Sequence, residues 1–567
     1  MLVDNLRAII AAALPEEVAF KLEVSPQPEL GDYACNAAMI LAKKQGKNPR
    51  EMAEEIMQKL ADSESIAKVE VAGPGFINLF LKDGAIWEAL TAAAAAPELP
   101  NKKVLIEYGQ ENIAKPMSVG HLRSNIIGKS LVNIFRFIGS EIVTDNHLGD
   151  WGTQFGKLIV AYERWGDHAI IEEDPIPELN KLYVRFHDEV ENNPELDDEA
   201  RAAFKKLEDG DVEMRELWKW MKDESLQSFQ KMYDRLGSEF QNMHGEAFFE
   251  DMLPGIIADL VEKKIAVRND DGSIMVEFPE EFSPSPLLIQ KSDGATLYAT
   301  RDLATVKFYV SEFHPDLVLQ CVGAEQSLHF KQFYDAAARA GYLGDTTFVH
   351  VKNGLVRLPE GKMSTRGGKT VRLEDLLDTA AEKMTAILDE KNCDIDGDER
   401  TQLIESLAVG AVKFADLGRD REGDITFTWD DALSFEGYAA PYLMYTHARA
   451  KSILRKSSDE LTPPQSPPSG GGSGFGEFTE PAERALAMKL LQFTAAVEKS
   501  ASSYKPHHIA QYLFDLAQEF NSFYHHVSVM NAEQESEKQL RLALVGKVAE
   551  ILKVGLGLLG ISAPERM

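Results

Sequence analysis

One stretch restricts the fold more than any other. Val104-Leu105-Ile106-Glu107-Tyr108 runs into a glycine-punctuated loop from Gly109 to Gly120, which opens directly onto His121-Leu122-Arg123-Ser124. The first five residues make a short apolar β run. Leu122, Ile126, Ile127, Leu131, Ile134, Phe135 and Ile138 then recur at helical spacing, predicting a helix over 120–138 that Gly139 closes. The loop brings Gly120 and His121 to a helix N-terminus, where free N–H groups and the positive end of the helix dipole favour an anion. Gly120 has no side chain to hold a flat ligand away, and His121 and Lys115 add donors. The place suits a nucleotide with its phosphates. Taken alone, the same residues also fit an ordinary βα turn whose histidine is structural.

The rest of the chain places this unit among others. Residues 1–98 read as a small α+β domain, with helices over Leu2–Leu14, Tyr33–Lys44 and Glu51–Leu60 and strands over Val69–Val71 and Phe76–Leu81 around the Gly73-Pro74-Gly75 turn. Residues 101–375 read as an α/β domain interrupted by a helical, acidic insertion at about 157–285. Strand-like runs follow at Ser273–Phe278, Pro286–Gln290, Thr296–Thr300, Leu317–Val322 and Phe348–Val351, with helical patterns over Asp302–Phe313 and Gln326–Ala340. The alternation predicts a doubly wound, Rossmann-like parallel sheet, with ligands beyond the C-terminal strand ends where His121 sits. From 376 to 567 the pattern is all-α: Leu403–Phe414, Pro441–Leu454, Glu483–Ser500, His507–His525 and Gln539–Leu559. Pro463–Gly476, rich in Pro, Ser and Gly, reads as a linker.

Composition excludes several classes. A chain of 567 residues with 44% hydrophobic and 27% charged content is an ordinary globular protein of several domains. Met1–Arg7 lacks a basic segment followed by an apolar core, so no signal peptide is expected, and Ala92–Ala96 is too short to span a bilayer. The 3 cysteines, Cys35, Cys321 and Cys393, are far apart and suggest neither a disulfide framework nor a metal site; a cytoplasmic location fits. The net charge of −31 argues against nucleic acid only on average, because the acid gathers in Glu172-Glu173-Asp174, Glu195–Glu199 and Asp209–Glu213.

A second motif narrows the reading. Gly361-Lys362-Met363-Ser364-Thr365 lies in a Gly/Lys-rich loop running to Lys369. A histidine-ended loop before a helix, paired with a late Lys-Met-Ser loop, resembles the "HIGH" and "KMSKS" signatures of class I aminoacyl-tRNA synthetases. The detail resembles the arginyl-tRNA synthetase family, of bacterial type. Asn112-Ile113-Ala114-Lys115 through Val119-Gly120-His121-Leu122-Arg123-Ser124 looks like its extended first signature, and Asn146-His147-Leu148-Gly149-Asp150-Trp151-Gly152-Thr153-Gln154-Phe155-Gly156 like its next block. Gly31-Asp32-Tyr33 and Gly73-Pro74-Gly75-Phe76-Ile77-Asn78 look like its added N-terminal domain, and the final Glu565-Arg566-Met567 also matches.

The resemblance implies an arginine–tRNA ligase that uses ATP with Mg²⁺ and acts on arginine and tRNA(Arg), as a monomer, with no membrane partner and no tightly held metal of its own. Lys115, His121 and Lys362 would be catalytic. Ser118, Gly120, His121, Gly323, Glu325, His329, Lys362 and Met363 would contact ATP. Glu107, Asn112, Tyr298, Asp302 and Gln326 match positions that hold arginine in the family. By spacing alone Asp302 is as well read as a helix cap, Glu107 as an edge charge and Tyr298 as core. The resemblance also implies that residues 1–98 touch the outer corner of the tRNA and that the helical tail binds the anticodon. There Tyr438, Tyr442, Tyr445, Arg449, Lys451, Arg455 and Lys456 interleave aromatics with cations, of which Tyr438, Tyr442, Arg449 and Arg455 are the chosen candidates. The chain departs from the pattern at Ser118, where the first histidine of "HIGH" is usual, and at Thr365, where the second lysine of "KMSKS" is expected. Family resemblance gives the compensating role to Lys115. Gly109 and Glu111 stand where Ser and Pro are common. Two other readings remain: a nucleotidyltransferase activating a small acid without tRNA, and a non-catalytic tRNA-binding paralogue.

Overall fold

Apolar β runs that are buried on both faces need helices on both sides, and the centre of the molecule is built that way. The computed structural model describes residues 2–25, 27–61, 63–97, 99–283, 285–357, 371–458 and 477–567. Four parallel strands form the central sheet, in the spatial order Thr347–His350, Leu317–Gln320, Lys103–Glu107, Glu141–Asp145, which are the fourth, third, first and second in the chain. Val104, Leu105 and Ile106 are wholly buried. The register pairs Glu107 with Gln320 on one side and with Asp145 on the other, and Gln320 with His350. Four polar side chains therefore end in one row at the C-terminal edge of an otherwise apolar sheet. The helix Val119–Phe137 lies so close to the first of these strands that a β-carbon on Gly128 would stand 2.3 Å from Cβ of Tyr108.

Several expectations are corrected here. Ser273–Phe278 and Pro286–Gln290 do not join the parallel sheet. Their cores, Ile274–Val276 and Leu287–Gln290, pair antiparallel with each other and, through the former, with Ala266–Arg268. Alternating apolarity marks a strand without naming its partner. Thr296–Thr300 is not a strand: Thr296 makes one bridge to Gln290 across the Lys291–Gly294 turn, and the helix Tyr298–Phe313 begins two residues later. Tyr33–Cys35 is a strand, not the start of a helix, because Leu22–Val24 and Ile77–Leu79 supply partners on both sides; the helix is Ala37–Gln45. Glu483–Ser500 is two helices, Pro481–Leu490 and Phe493–Ser503.

Residues 2–90 hold a four-stranded antiparallel sheet, order Leu22–Val24, Tyr33–Cys35, Phe76–Leu81, Ile66–Ala72, packed on helices. Arg484 of the C-terminal helices reaches into it, pairing with Asp32 at 2.7 Å and with Asp83. Between the second strand of the central sheet and the third, four long helices (Thr153–Trp165, Pro175–Val190, Glu195–Glu208 and Val212–Leu236) make the acidic insertion. The C-terminal part is helical. Among the described residues no helix is long and apolar enough to cross a membrane. Pro463–Gly476, expected as a linker, lies outside the described residues, as do Gly361–Lys369 with Lys362 and Met363.

Candidate active site

The loop after Glu107 reaches the helix through Ser118, whose backbone is extended (φ −104°, ψ 165°). Its N–H donates to His121 Nδ1 at 3.0 Å. A ring nitrogen that accepts leaves the proton of a neutral imidazole on Nε2, so His121 offers an N–H donor from the helix start. Burial lowers the proton affinity of this ring, and the charge of Glu111 opposes that. Gly120 beside it is exposed. One helix N–H is not free: Val119 donates to Val371 O at 3.1 Å, Leu373 N–H donates to Met117 O at 2.8 Å, and Ser118 and Arg372 form an antiparallel bridge. The chain leaving the Lys-Met-Ser segment is thus stitched to the turn that carries His121, although the two lie some 250 residues apart. Lys115 points instead toward the insertion. Its Nζ lies 4.8 Å from the centre of the Tyr183 ring and 3.4 Å from Gln154 Oε1, and burial depresses its pKa.

The polar row at the strand ends forms an acidic cluster. Glu107, 2% exposed, accepts from Gln110 Nε2 at 2.8 Å on one oxygen and from Gln320 Nε2 at 2.8 Å on the other. The Tyr309 hydroxyl lies 3.0 Å from Glu107 and 2.9 Å from Asp145. Burial pushes the Glu107 carboxyl above the usual range, against the pull of His147. His244 closes Asp145 from the other side, with Nδ1 2.9 Å from its carboxylate. Burial disfavours a His147 imidazolium, yet Glu107, Asp302, Glu246 and Asp145 together raise its pKa above the ordinary value. Its buried Nδ1 has no hydrogen-bond partner among the described residues. Asp302, one turn into its helix, lies 2.5 Å from His329 Nε2. Burial pushes the Glu246 carboxyl up to about 7, with the charges of Arg301 and His147 pulling it back and those of Asp150 and Asp302 adding to the rise; Glu246 in turn raises the Tyr298 hydroxyl. Tyr298 is 67% exposed, so it lines the rim and is not core.

The structure therefore gathers Glu107, Tyr298 and Asp302 around His147 and Glu246. Asn112 stands at the loop, bridged to Gly149. Gly323, Glu325 and Gln326 form the turn after the third strand, where Ala324 N–H donates to Asn353 O at 2.8 Å and Gln326 is exposed. His329, expected on the nucleotide side, engages Asp302. Sequence reasoning assigns no role to Glu246 or His147. Glu246 carries no periodic signal, and it meets His147 only through folding. His147 lies in a block that resembles the family, and Asp145, a charge closing an apolar strand, is the nearer clue to the cluster.

In the helical tail the four chosen candidates divide. The Tyr438 hydroxyl donates to Gly418 O at 2.7 Å and its ring packs on Phe414 and Phe514; Tyr442 accepts from Asn521 and packs on Phe514. Both act as packing residues. Arg449 and Arg455 line a groove of about 750 Å³ with Lys391, Tyr445, Arg566 and Met567. Arg449 also stacks 4.2 Å from the Tyr524 ring, and Arg455 donates to Glu565 O at 2.9 Å.

Comparison with known proteins follows the same division of the chain. The family described as tRNA synthetases class I (R), catalytic domain, matches residues 87–429. The chain belongs to the arginyl-tRNA synthetase family. The family's N-terminal domain matches residues 2–81, and a DALR anticodon binding domain matches 443–567. An arginine–tRNA ligase of Fusobacterium nucleatum is 42% identical over 556 residues, covering 96% of this chain and 95% of the relative. One from an Exiguobacterium species is 42% identical over 571 residues, covering 100% and 99%. The solved arginyl-tRNA synthetase of Thermus thermophilus superposes with a TM-score of 0.82 at 27% identity, covering 100% of both chains. Membership of the family gives ATP as the activating substrate. No cluster of three or more His, Cys, Asp or Glu side chains suited to a metal ion occurs among the described residues.

Proposed function

We infer that this chain is an arginine–tRNA ligase. It joins the arginine carboxylate to the α-phosphate of ATP with loss of pyrophosphate, then passes the arginyl group to a ribose hydroxyl, the 2′-hydroxyl, at the 3′ end of tRNA(Arg) with release of AMP. The observation that carries this reading is the acidic cluster of Glu107, Glu246 and Asp302, set at the strand ends beside the helix start that bears His121. A planar guanidinium with five donors suits carboxylates placed to accept in pairs.

The carboxylate of the amino acid is already a nucleophile, so the site needs alignment and positive charge and no strong base. His121 donates from Nε2 to a phosphate oxygen. Lys115 and Lys362 supply cations, and Lys115 must leave Tyr183 and Gln154 to do so. Ser118, Gly120, Gly323, Glu325 and Met363 contact the nucleotide. Tyr298, Asp302, Gln326, Asn112 and Glu107 hold arginine, with Glu246 added to that set. Mg²⁺ arrives with ATP and offsets phosphate charge. Residues 1–98 contact the tRNA outer corner, 101–375 carry the chemistry, and 376–567 read the anticodon, with Arg449 and Arg455 at the groove. The protein acts as a cytoplasmic monomer. The deciding experiment is charging of unfractionated tRNA with each standard amino acid, ATP and Mg²⁺. Attachment of arginine alone is expected. A folded sample that binds tRNA and charges nothing overturns the reading in favour of an inactive paralogue.

A further inference from the structure

Glu111 is 1% exposed and accepts three side-chain hydrogen bonds. Asn125 Nδ2 donates to one oxygen at 2.7 Å; Asn146 Nδ2 at 2.9 Å and the Tyr233 hydroxyl at 2.6 Å donate to the other. The three donors come from three places: the helix Val119–Phe137, the loop after the second strand, and the insertion helix Val212–Leu236. Each link continues. Asn125 Nδ2 also donates to His121 O at 3.1 Å, and Asn146 Oδ1 accepts the Gln110 N–H at 2.8 Å. Gly149 N–H closes on Glu111 O at 3.0 Å. Gln110, between these contacts, holds φ at 66°, a conformation that a side-chain-bearing residue keeps only where its surroundings enforce it.

We propose that Glu111 is a positioning residue for adenylate formation, joining the turn that carries His121 to the loop that carries Asn112 and to the insertion. Fixing one carboxylate between these parts sets where the His121 donor meets the reacting phosphate. The Glu111 charge also faces His121 within the same buried region. The residue stands where the family commonly has proline, which offers no side-chain acceptor. A purely structural role is a poor account of a carboxylate that meets neither cation nor solvent and spends all its bonds on elements converging at the site.

The inference rests on the proposed function, and the wild-type enzyme is the control that separates the two: no charging by wild type overturns the function, whatever the variants do. The test compares Glu111→Gln, Asn125→Ala, the double variant and Tyr233→Phe. It measures adenylate formation in single turnover with tRNA bound, per active site titrated, beside KM for arginine, tRNA affinity and Tm. Glu111→Gln is expected to slow adenylate formation about 10- to 100-fold, as displacement of a reacting group by less than an ångström does, while KM and tRNA affinity stay within about twofold. Asn125→Ala cuts the same link, so the double variant is expected to be no slower than the worse single variant. Should Glu111→Gln not fold, Tyr233→Phe, which deletes one hydroxyl, decides by a smaller slowing in the same sense. A wild-type rate per active site in Glu111→Gln, or in Tyr233→Phe where that variant stands in, overturns the proposal. So does parallel loss of rate, arginine binding and Tm, or a double variant whose effects multiply.

Discussion

Arg123 sits two residues beyond His121 on the same helix, yet it faces away from the strand ends toward the C-terminal helices. Its Nε lies 2.8 Å from Asp416 Oδ2, and Nη1 donates to Gly423 O at 2.9 Å. The two side chains are 1% and 3% exposed. Burial raises the Asp416 carboxyl, and Arg123 draws it back. Asp416→Ala would leave a guanidinium buried with one carbonyl for company, and removing one partner of a buried pair costs roughly 3–5 kcal/mol. The Gly423 contact survives, which places the expected cost toward the lower end. Replacing both residues by apolar ones of similar volume, Arg123→Met with Asp416→Leu, is expected to be near neutral. A chain of several domains has no single unfolding free energy, so the measurement is hydrogen exchange of the amides of Val119–Phe137. A loss of 3–5 kcal/mol speeds exchange through the shared opening by about a hundred- to several-thousand-fold. Exchange in Asp416→Ala within about fivefold of wild type, or a double variant no slower to exchange than Asp416→Ala, would refute the reasoning. Because the helix start bears His121, the same substitution should also lower the rate of arginine activation.

Three further outcomes are expected. Asp302→Ala removes a charged acceptor worth roughly 1.5–3 kcal/mol, so KM for arginine should rise about 10- to 150-fold while that for ATP moves little; equal losses would remove Asp302 from the arginine pocket. Lys115→Ala should slow adenylate formation and leave tRNA affinity unchanged, and unaltered activation would end its compensating role. Glu246 is raised from 4.5 to about 7. The fold therefore favours its neutral form, so this group's contribution to stability is full below about 4.5 and is lost as pH rises through about 7. Arginine needs the ionised form, so its affinity should climb over the same window, and Glu246→Gln should flatten that climb when arginine binding is titrated between pH 5 and 8.

What could be read from the sequence was whatever one segment decides alone. Val104–Ile106 is apolar on both faces and flanked by a glycine-rich loop, so a buried parallel strand with a helix behind it followed from local pattern. His121 at the head of that helix followed too. Thr296–Thr300 failed because five residues with one aromatic and two threonines fit a strand, whereas the real determinant is the helix whose first turn they enter; Thr300 Oγ1 donates to Ile289 O at 2.5 Å, a contact no window contains. Tyr33–Cys35 failed for the same reason, since alanine-rich sequence reads as helix until strand partners on both sides are known. Tyr438 and Tyr442 attract attention for their chemistry, but their hydroxyls face Gly418 and Asn521 within packed aromatics.

The parts least visible in sequence are the ones that join segments. Glu107 meets Asp145 through Tyr309, Asp302 meets His329, and Glu111 meets Tyr233 at a separation of 122 residues. Glu107 and Glu111 are buried and Asp302 half-buried, and each is satisfied by a group that its own neighbourhood cannot supply. An isolated buried carboxylate is too costly to persist unpaired. Acidic residues that close or follow an apolar strand, such as Glu107, Glu111 and Asp145, therefore demand distant partners by their position in the chain alone. The sequence announces that demand, and only the fold shows which helix meets it. In this chain the helices that do so, Val119–Phe137, Val212–Leu236 and Tyr298–Phe313, all converge on the strand ends. The interactions that keep these charges buried are consequently the same ones that hold the site in register.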